Sequence, residues 1–429
     1  MEQELNIDQT INHLFRQESG KMVSVLVNIF GAKNYELAED VVQDALVRAL
    51  ETWKFRGMPD NPKAWLYRTA KNKAIDIIRK NKHNNLIDFS EPDKQLLTSG
   101  YSVSTTMDSY WQESHIRDDF LGMMYACCHP EISQENQVTF ILKSLCGFST
   151  KEVAKSFLTS EETISKRLYR TKEYFRKNNI RPKIPSEENI DSRTAAVLRS
   201  IYLLFNEGYN ATHSEELIRK DLLSQALYLC KNLVDNKKIK SSEANALMAL
   251  MCFHTARSEG RLTGDGAIVQ LSKQDRSTWN AEIIQAGKKY LFQSGLDNTY
   301  STYHLEAAIA MQHCEAKKYE DTNWKVILDC YDSLLQISKD PVVAVNRCLV
   351  VLELNGPEAA MKEISKLKSN KTLANYYLYY AVLGAIQARL QQREAAIKNY
   401  KLAITHTQSQ QERDLLNHKI SIIKKELES

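Results

Sequence analysis

The sequence predicts an all-α protein, and three observations predict it. Glycine and proline are scarce, 14 and 8 among 429 residues. β-Branched runs bounded by turn signals, which would mark strands, are few. Apolar residues instead recur at helical spacing over most of the chain. The length suits two to four domains of about 100–200 residues each. A hydrophobic content of 43% with 26% charged residues is that of an ordinary globular protein.

Taken in order, residues 10–80 read as consecutive helices. One spans Glu36 to Trp53, with Leu37, Val41, Ala45 and Ala49 on its apolar face. Glu36, Asp40, Gln43, Asp44 and Glu51 form an acidic stripe on the other side, a surface better suited to a protein partner than to DNA. The next helix, Pro62 to about Lys80, opens with a proline that fits a first turn. Its apolar positions are Leu66, Ala70, Ala74 and Ile77; Trp65, Arg68, Asn72, Asp76 and Arg79 lie opposite. Lys63, Lys71, Lys73, Lys80 and Lys82 surround that stripe, and Asp76 is the one acid between Lys63 and Lys82. Cations that follow phosphates, beside a tryptophan and an amide that can meet unstacked bases, suit single-stranded DNA. A packing role for Trp65 is the competing reading.

Asn81 to Trp111 is polar and weakly patterned, as a linker would be. Arg117 to Leu145 supplies further helices, with Phe140, Leu142 and Leu145 as core. Phe148 to Phe175 then reads as two helices joined by a tight turn. Val153, Ala154 and Phe157 make a small apolar face on the first. Ser160 is placed to cap the second, with Glu161 and Glu162 in its first turn. Ile164, Leu168, Thr171 and Phe175 fall on one side of that helix; Thr163, Lys166, Arg167, Arg170 and Lys177 fall on the other. An apolar back and a basic front suit a helix that lies in a major groove.

Composition narrows the function. A net charge of +4 puts any nucleic-acid affinity in local patches. No apolar run reaches the 18 or so residues of a membrane span, and MEQELNIDQT lacks a signal-peptide core, so no membrane partner and a cytoplasmic location are expected. Eight scattered cysteines with no CxxC fit a reduced compartment. Cys127-Cys128-His129 suits buried helix positions better than a metal. No GxSxG, HExxH, P-loop or dinucleotide motif occurs, so neither catalytic residues nor cofactors are expected.

Three segments together, AEDVVQDALVRALETW, PKAWLYRTAKNKAIDIIRK and the helix pair with TISKRLYRTKEYF, resemble the extracytoplasmic-function group of bacterial RNA polymerase sigma factors. The resemblance implies region 2 at residues 1–82, a linker at 83–112, and region 4 with a helix-turn-helix at 113–178. It implies core polymerase and promoter DNA as partners, through the β′ clamp helices and β flap. Asp40, Gln43, Asp44 and Arg48 would dock on polymerase. Arg56, Asn61, Trp65, Arg68, Lys71, Asn72, Asp76, Arg79 and Lys80 would engage the −10 element. Ser160, Thr163, Ser165, Lys166, Arg167, Arg170 and Lys177 would meet the −35 element.

The chain continues through a second linker, 179–191, into a helical domain, 192–300, and helical repeats, 301–429. These resemble the extension of a sigma-factor subgroup with tetratricopeptide-like repeats. Leu383, Gly384, Ala396, Tyr400 and Ala403 match the spacing of a 34-residue helical hairpin, with a weaker copy over Val342–Leu367. Such an extension would regulate the sigma domains from within the chain and take a protein or ligand partner. Gly208, after an apolar helix, is placed where a C-cap would lie. Asn206, Glu207, Tyr209, Arg257, Asp275, Arg276 and Trp279 have the polarity to line a pocket; a capped helix and an ion-paired hairpin is the plainer reading. Two other functions remain open at this point: a helix-turn-helix regulator with a repeat module that never joins polymerase, and an enzyme seated in the extension.

Overall fold

The computed structural model describes residues 2–81, 103–157, 159–178, 183–184, 187–210, 218–236, 239, 241–264, 266–295, 300–407 and 409–428. Among them the fold is all-α, with no strand and a single isolated bridge, Leu262 to Ile268. The chain divides into two compact units, Met1–Phe205 with Ser224–Lys240, and Asn206–Leu223 with Ser241–Ser429.

The first unit is built around α1 (Glu2–Phe30), whose Met22, Val25, Leu26, Val27 and Ile29 are fully buried. α2 (Tyr35–Arg56) lays Ala38, Val41, Val42, Ala45, Leu46, Ala49 and Trp53 into the core. α3 (Pro62–Asn81) contributes Leu66, Ala70, Ala74, Ile75 and Ile78. The expected face of α3 is therefore right to Ala74 and then shifts, leaving Ile77 half-buried; Leu37 on α2 is half-buried too. Both helices are covered over a broader arc than one stripe.

The stretch expected to be linker also differs. Val103–Tyr110 forms a helix, α4, with Met107 fully buried; residues 83–102 lie outside the described residues. Its few apolar positions are enough because α3 lends it a surface, with Lys71 paired to Asp108. α5 (Glu113–Cys127) and α6 (Gln134–Phe140) follow. The chain after α6 widens into a π turn, Ile141–Leu145, in which the Cys146 N–H reaches the Ile141 carbonyl at 3.0 Å. Phe140, Leu142 and Leu145 are buried. α7 (Thr150–Ser156) and α8 (Glu161–Asn178) complete the helix pair; Leu158 in its turn lies outside the described residues. α9 (Glu187–Tyr209), whose first residues fall in the expected second linker, belongs to this unit as far as Phe205, and α10 (Lys220–Asp235) from Ser224.

The second unit opens on α11 (Ser242–Ala256), apolar on all sides and almost wholly buried. An irregular segment leads to α12 (Ala281–Ser294) and α13 (Thr302–Glu315). α14 (Trp324–Ser338), α15 (Pro341–Asn355), α16 (Pro357–Ser365), α17 (Tyr377–Arg389), α18 (Arg393–His406) and α19 (Gln410–Glu428) then stack as successive hairpins. At Gly384 a Cβ would stand 2.9 Å from the Tyr400 ring, so the small residue sets how closely α17 and α18 approach. Gly208 corrects an expectation. It is no C-cap but the penultimate residue of α9, and a Cβ there would meet the Leu223 backbone nitrogen at 2.8 Å. It is small to admit the start of α10, not to turn the chain.

Candidate nucleic-acid interface

The helices of the first unit place the expected residues on three faces. On α2, Asp40, Gln43, Asp44 and Arg48 are all exposed in one stripe. Val47, 51% exposed, adds an apolar residue to it that the acidic pattern concealed. Asp44 also meets Lys73 of α3 at 2.8 Å, so the stripe borders the cationic helix.

α3 begins where Asn61 Oδ1 accepts the Ala64 N–H at 2.9 Å, an N-cap that fixes the helix start. Arg68, Asn72, Asp76, Arg79 and Lys80 are exposed along its front. Among the described residues, Arg68, Asn72, Arg79 and Lys80 have neither ion-pair nor hydrogen-bond partners. Lys63, Lys71 and Lys73, further round the helix, are paired to Glu18, Asp108 and Asp44. Trp65 is half-buried, with its ring edge-on to the buried Trp53 at 5.5 Å. It is thus anchored by packing while part of it stays accessible. Phe55 stands 91% exposed next to Arg56, and Met58 is 40% exposed. Sequence reasoning passed over both, although an aromatic between Lys54 and Arg56 was the signal.

Behind that front, Glu18 is buried and holds Lys21 at 3.1 Å, Lys63 at 3.8 Å and the Tyr67 hydroxyl. Burial lowers the Lys21 ammonium although Glu18 favours it, and burial, then Glu18, raises the Tyr67 hydroxyl. A cavity of about 360 Å³ opens here between Asn61, Lys63, Tyr67, Trp111 and Tyr228. Tyr228 comes from α10, and its ring receives Lys21 at 4.8 Å.

In the α7–α8 pair, the Ser160 hydroxyl accepts the Thr163 N–H at 3.2 Å and caps α8. Ile164, Thr171 and Phe175 are buried, and Leu168 is half-buried. Ser165, Lys166, Arg170 and Lys177 are exposed; Lys166 pairs with Glu162 at 2.7 Å, while Arg170 and Lys177 are unpaired. Arg167 and Thr163 are half-buried, and the Arg167 guanidinium lies 5.3 Å over the Phe157 ring. Tyr169, 67% exposed beside Arg170, is an exposed aromatic that the basic pattern did not single out.

The back of α8 rests on α2. Tyr35, Phe140 and Phe175 form an aromatic triad with centroids 5.0–6.5 Å apart, and Lys172 pairs with Glu39 at 2.5 Å. Gly20 of α1 passes so close to Leu145 that a Cβ would overlap its carbonyl. Arg16 reaches Glu152 of α7 at 3.1 Å. Burial alone would raise the Glu152 carboxyl, but the Ser149 N–H and hydroxyl and the Arg16 guanidinium outweigh it and hold it at about 2. Asn28 donates to Asp119 of α5 at 3.0 Å, leaving Oδ2 without a partner; burial pushes that carboxyl up to about 7. α9 joins the same body, the Thr194 and Tyr125 hydroxyls lying 2.8 Å apart. Cys127 and Cys128 are buried, and no cluster of metal-binding side chains occurs among the described residues. No described helix is long and apolar enough to cross a membrane.

In the second unit, Tyr209, Arg257, Arg276 and Trp279 come together. Arg257 and Arg276 both lie over the Trp279 ring, at 5.4 and 5.1 Å. The Tyr209 ring meets His254 at 4.8 Å and Arg261 at 3.9 Å. Arg261, His254 and His313 were not among the expected pocket residues, since nothing local marks them. Asp275 does not join the group: it is exposed and caps its own turn, accepting the Ser277 N–H at 2.9 Å. Asn206 is exposed and Glu207 half-buried on α9. No ion-paired hairpin forms around Arg257 among the described residues.

Sigma-70 region 2 matches residues 14–84, the span of most of α1 with α2 and α3. A family of unknown function, DUF6596, matches residues 193–295. An uncharacterized protein of Rhizobium meliloti (strain 1021) is 30% identical over 358 residues, 83% of each chain. RNA polymerase sigma factor SigV of Bacillus subtilis (strain 168) is 25% identical over 138 residues, 32% of this chain and 73% of that protein. No solved structure matches the chain. The chain belongs to the sigma-70 family, as a sigma factor like those of the extracytoplasmic-function group that carries a long C-terminal extension.

Proposed function

We propose that the chain docks on core polymerase through the α2 stripe, engages the −10 element through α3, and reads the −35 element through α8. The observation that carries this reading is the distribution of unpaired charge. Cations flanking the front of α3, Lys63, Lys71 and Lys73, and Lys172 toward the back of α8 are all matched by carboxylates. On the fronts, Lys166 pairs with Glu162, but Arg68, Arg79, Lys80, Arg170 and Lys177 are exposed and have no carboxylate partner among the described residues. A polyanion along those fronts satisfies them and gains from the counterions it releases. Exposed Phe55 and accessible Trp65 supply ring faces for unstacked bases beside the cations of α3. The acidic α2 stripe repels DNA and fits a cationic protein surface.

The extension acts in cis on this reading. α9 meets Tyr125 of α5, whose following His129 lies 2.8 Å from the Tyr174 hydroxyl of α8, and Tyr228 of α10 walls the cavity that reaches Asn61 at the start of α3. A shift of either extension helix therefore bears on a DNA-contacting helix. The test is promoter-directed run-off transcription with core polymerase. Arg68→Glu with Arg79→Glu is expected to abolish the product while leaving the fold intact by circular dichroism. Tyr228→Ala is expected to change the yield from the same promoter. Full activity in the double charge reversal contradicts the −10 assignment, and an unchanged Tyr228→Ala yield contradicts regulation through that wall.

A further inference from the structure

In the second unit, an arginine is buried without a counter-charge. Arg257, at the C-terminus of α11, is 9% exposed. Its Nε is sealed from solvent with no hydrogen-bond partner, and no described side chain forms an ion pair with it. Proteins do not bury a guanidinium at rest in this way, because the lost hydration is returned only by acceptors. The Trp279 ring under it offsets part of that loss but offers no lone pair, and Arg276 already shares the same ring.

The surroundings increase the deficit. Arg261 and Arg276 stand close enough for each to feel the Arg257 charge. Both are satisfied by neutral acceptors: Arg261 by the Tyr209 carbonyl at 2.5 Å, Arg276 by the His313 and Ala316 carbonyls at 2.8 Å. They are held in place without an ion pair, Glu412 acting on Arg261 and Glu320 on Arg276 only from beyond ion-pair distance. Among the described residues none of the three has a carboxylate within ion-pair distance. His313 is kept neutral, pushed down to about 3 by burial and then by Arg257 and Arg276. Two further polar atoms are buried without partners here, Trp279 Nε1 and His313 Nδ1. Trp279 Nε1 lies against Gly260, where a Cβ would stand 3.0 Å away.

We infer that this cluster is an anion site, in which Arg257 receives the oxyanionic group, phosphate or carboxylate, of a small molecule. Arg261 and Arg276 supply the positive field, and Trp279 Nε1 is the neutral donor. A guanidinium with free N–H groups matches either oxyanion through paired hydrogen bonds. A macromolecular polyanion fits poorly, because the receiving cation is enclosed rather than displayed along a surface. The site lies mostly within residues 193–295, the stretch of unknown function, and gives that stretch a chemical role as a ligand receiver. It does not depend on how the chain meets DNA.

The experiment is isothermal titration of the full chain, prepared free of phosphate and carboxylate buffers, with inorganic phosphate in one arm and citrate in the other. Saturable binding with one site per chain is expected in at least one arm, and the arm that saturates identifies the oxyanion. Arg257→Met is expected to weaken it at least tenfold, and Arg257→Lys, which keeps the charge but loses the fork, by an intermediate factor. In the anion-free state Arg257→Met is expected to melt no lower than the parent, because it removes an uncompensated buried charge. Should the Met variant not fold, Trp279→Phe serves, keeping the ring, losing the donor, and weakening binding severalfold. No saturable binding in either arm overturns the proposal, as does equal affinity in the parent and the variants.

Discussion

The front of α3 and the arginine cluster of the second unit hold the same resource, cations without carboxylates, in opposite surroundings. On α3, Arg68 and Arg79 are unpaired and exposed, so water solvates them at no cost to folding. Around Trp279, Arg257 is unpaired and enclosed, so its charge is a debt on the fold until an anion arrives. An exposed row suits a long, regularly charged polymer that binds by counterion release and adapts its register. An enclosed, converging group suits one small ligand in one pose. The comparison shows why unpaired charge alone does not identify a ligand: its solvent exposure decides the class.

The largest expected effect is on the body that holds α2, α3 and α8. Phe175→Ala removes a fully buried ring from the triad with Tyr35 and Phe140 and is expected to cost about 3–5 kcal/mol in urea melts. A loss below 1 kcal/mol would mean that α8 is not seated on α2 as described. Next, Arg170→Ala is expected to weaken promoter binding by about 1–3 kcal/mol if the residue reads a base, measured by anisotropy on matched and scrambled promoters. Arg167→Ala mixes that effect with lost packing on Phe157, so thermal melting should register it too.

Asp119 gives a smaller, pH-dependent effect. Its folded value near 7 exceeds the ordinary 3.8, so the native carboxyl prefers to be neutral. Stability from this group is full below the unfolded value and is lost as pH rises through 7. Asp119→Asn keeps a partner for Asn28 and is expected to raise Tm at pH 8 but not at pH 3.5. The reverse pattern would show that the Asn28 hydrogen bond, rather than desolvation, dominates. Smallest is Lys177→Ala, expected to flatten the slope of log affinity against log salt by about one while leaving sequence preference unchanged.

Much of this was legible before any coordinates. The stripes on α2 and α3 follow from 3.6-residue periodicity, and the Ser160 cap from its place before Glu161 and Glu162. The misses have physical causes. Gly208 reads as a C-cap because a single sequence cannot show the backbone that passes beside it. α4 was hidden because a short helix can borrow its stability from a neighbour. Exposed Phe55, Val47 and Tyr169 sit in charged contexts that suggested the charges as the active part. In the extension, polarity marked Arg257, Arg276 and Trp279 as pocket residues, but their partners Arg261, His254 and His313 could be found only in the fold. That two segments of the extension, up to Phe205 and from Ser224, belong to the sigma-bearing unit was likewise invisible, since it rests on contacts such as Thr194 with Tyr125. Removing everything after Asn178 would therefore strip a built-in layer, and point changes are the cleaner probe.

The central claim is that the unpaired fronts work only on polymerase, which the α2 stripe recruits. Its most direct measurement is size-exclusion co-elution of the full chain with core RNA polymerase, comparing the parent with Asp40→Lys combined with Asp44→Lys. The account predicts that the parent co-elutes and supports promoter-directed transcription, and that the double variant elutes alone while keeping its helical content. A parent that elutes apart from core polymerase, yet still binds duplex DNA, would contradict it.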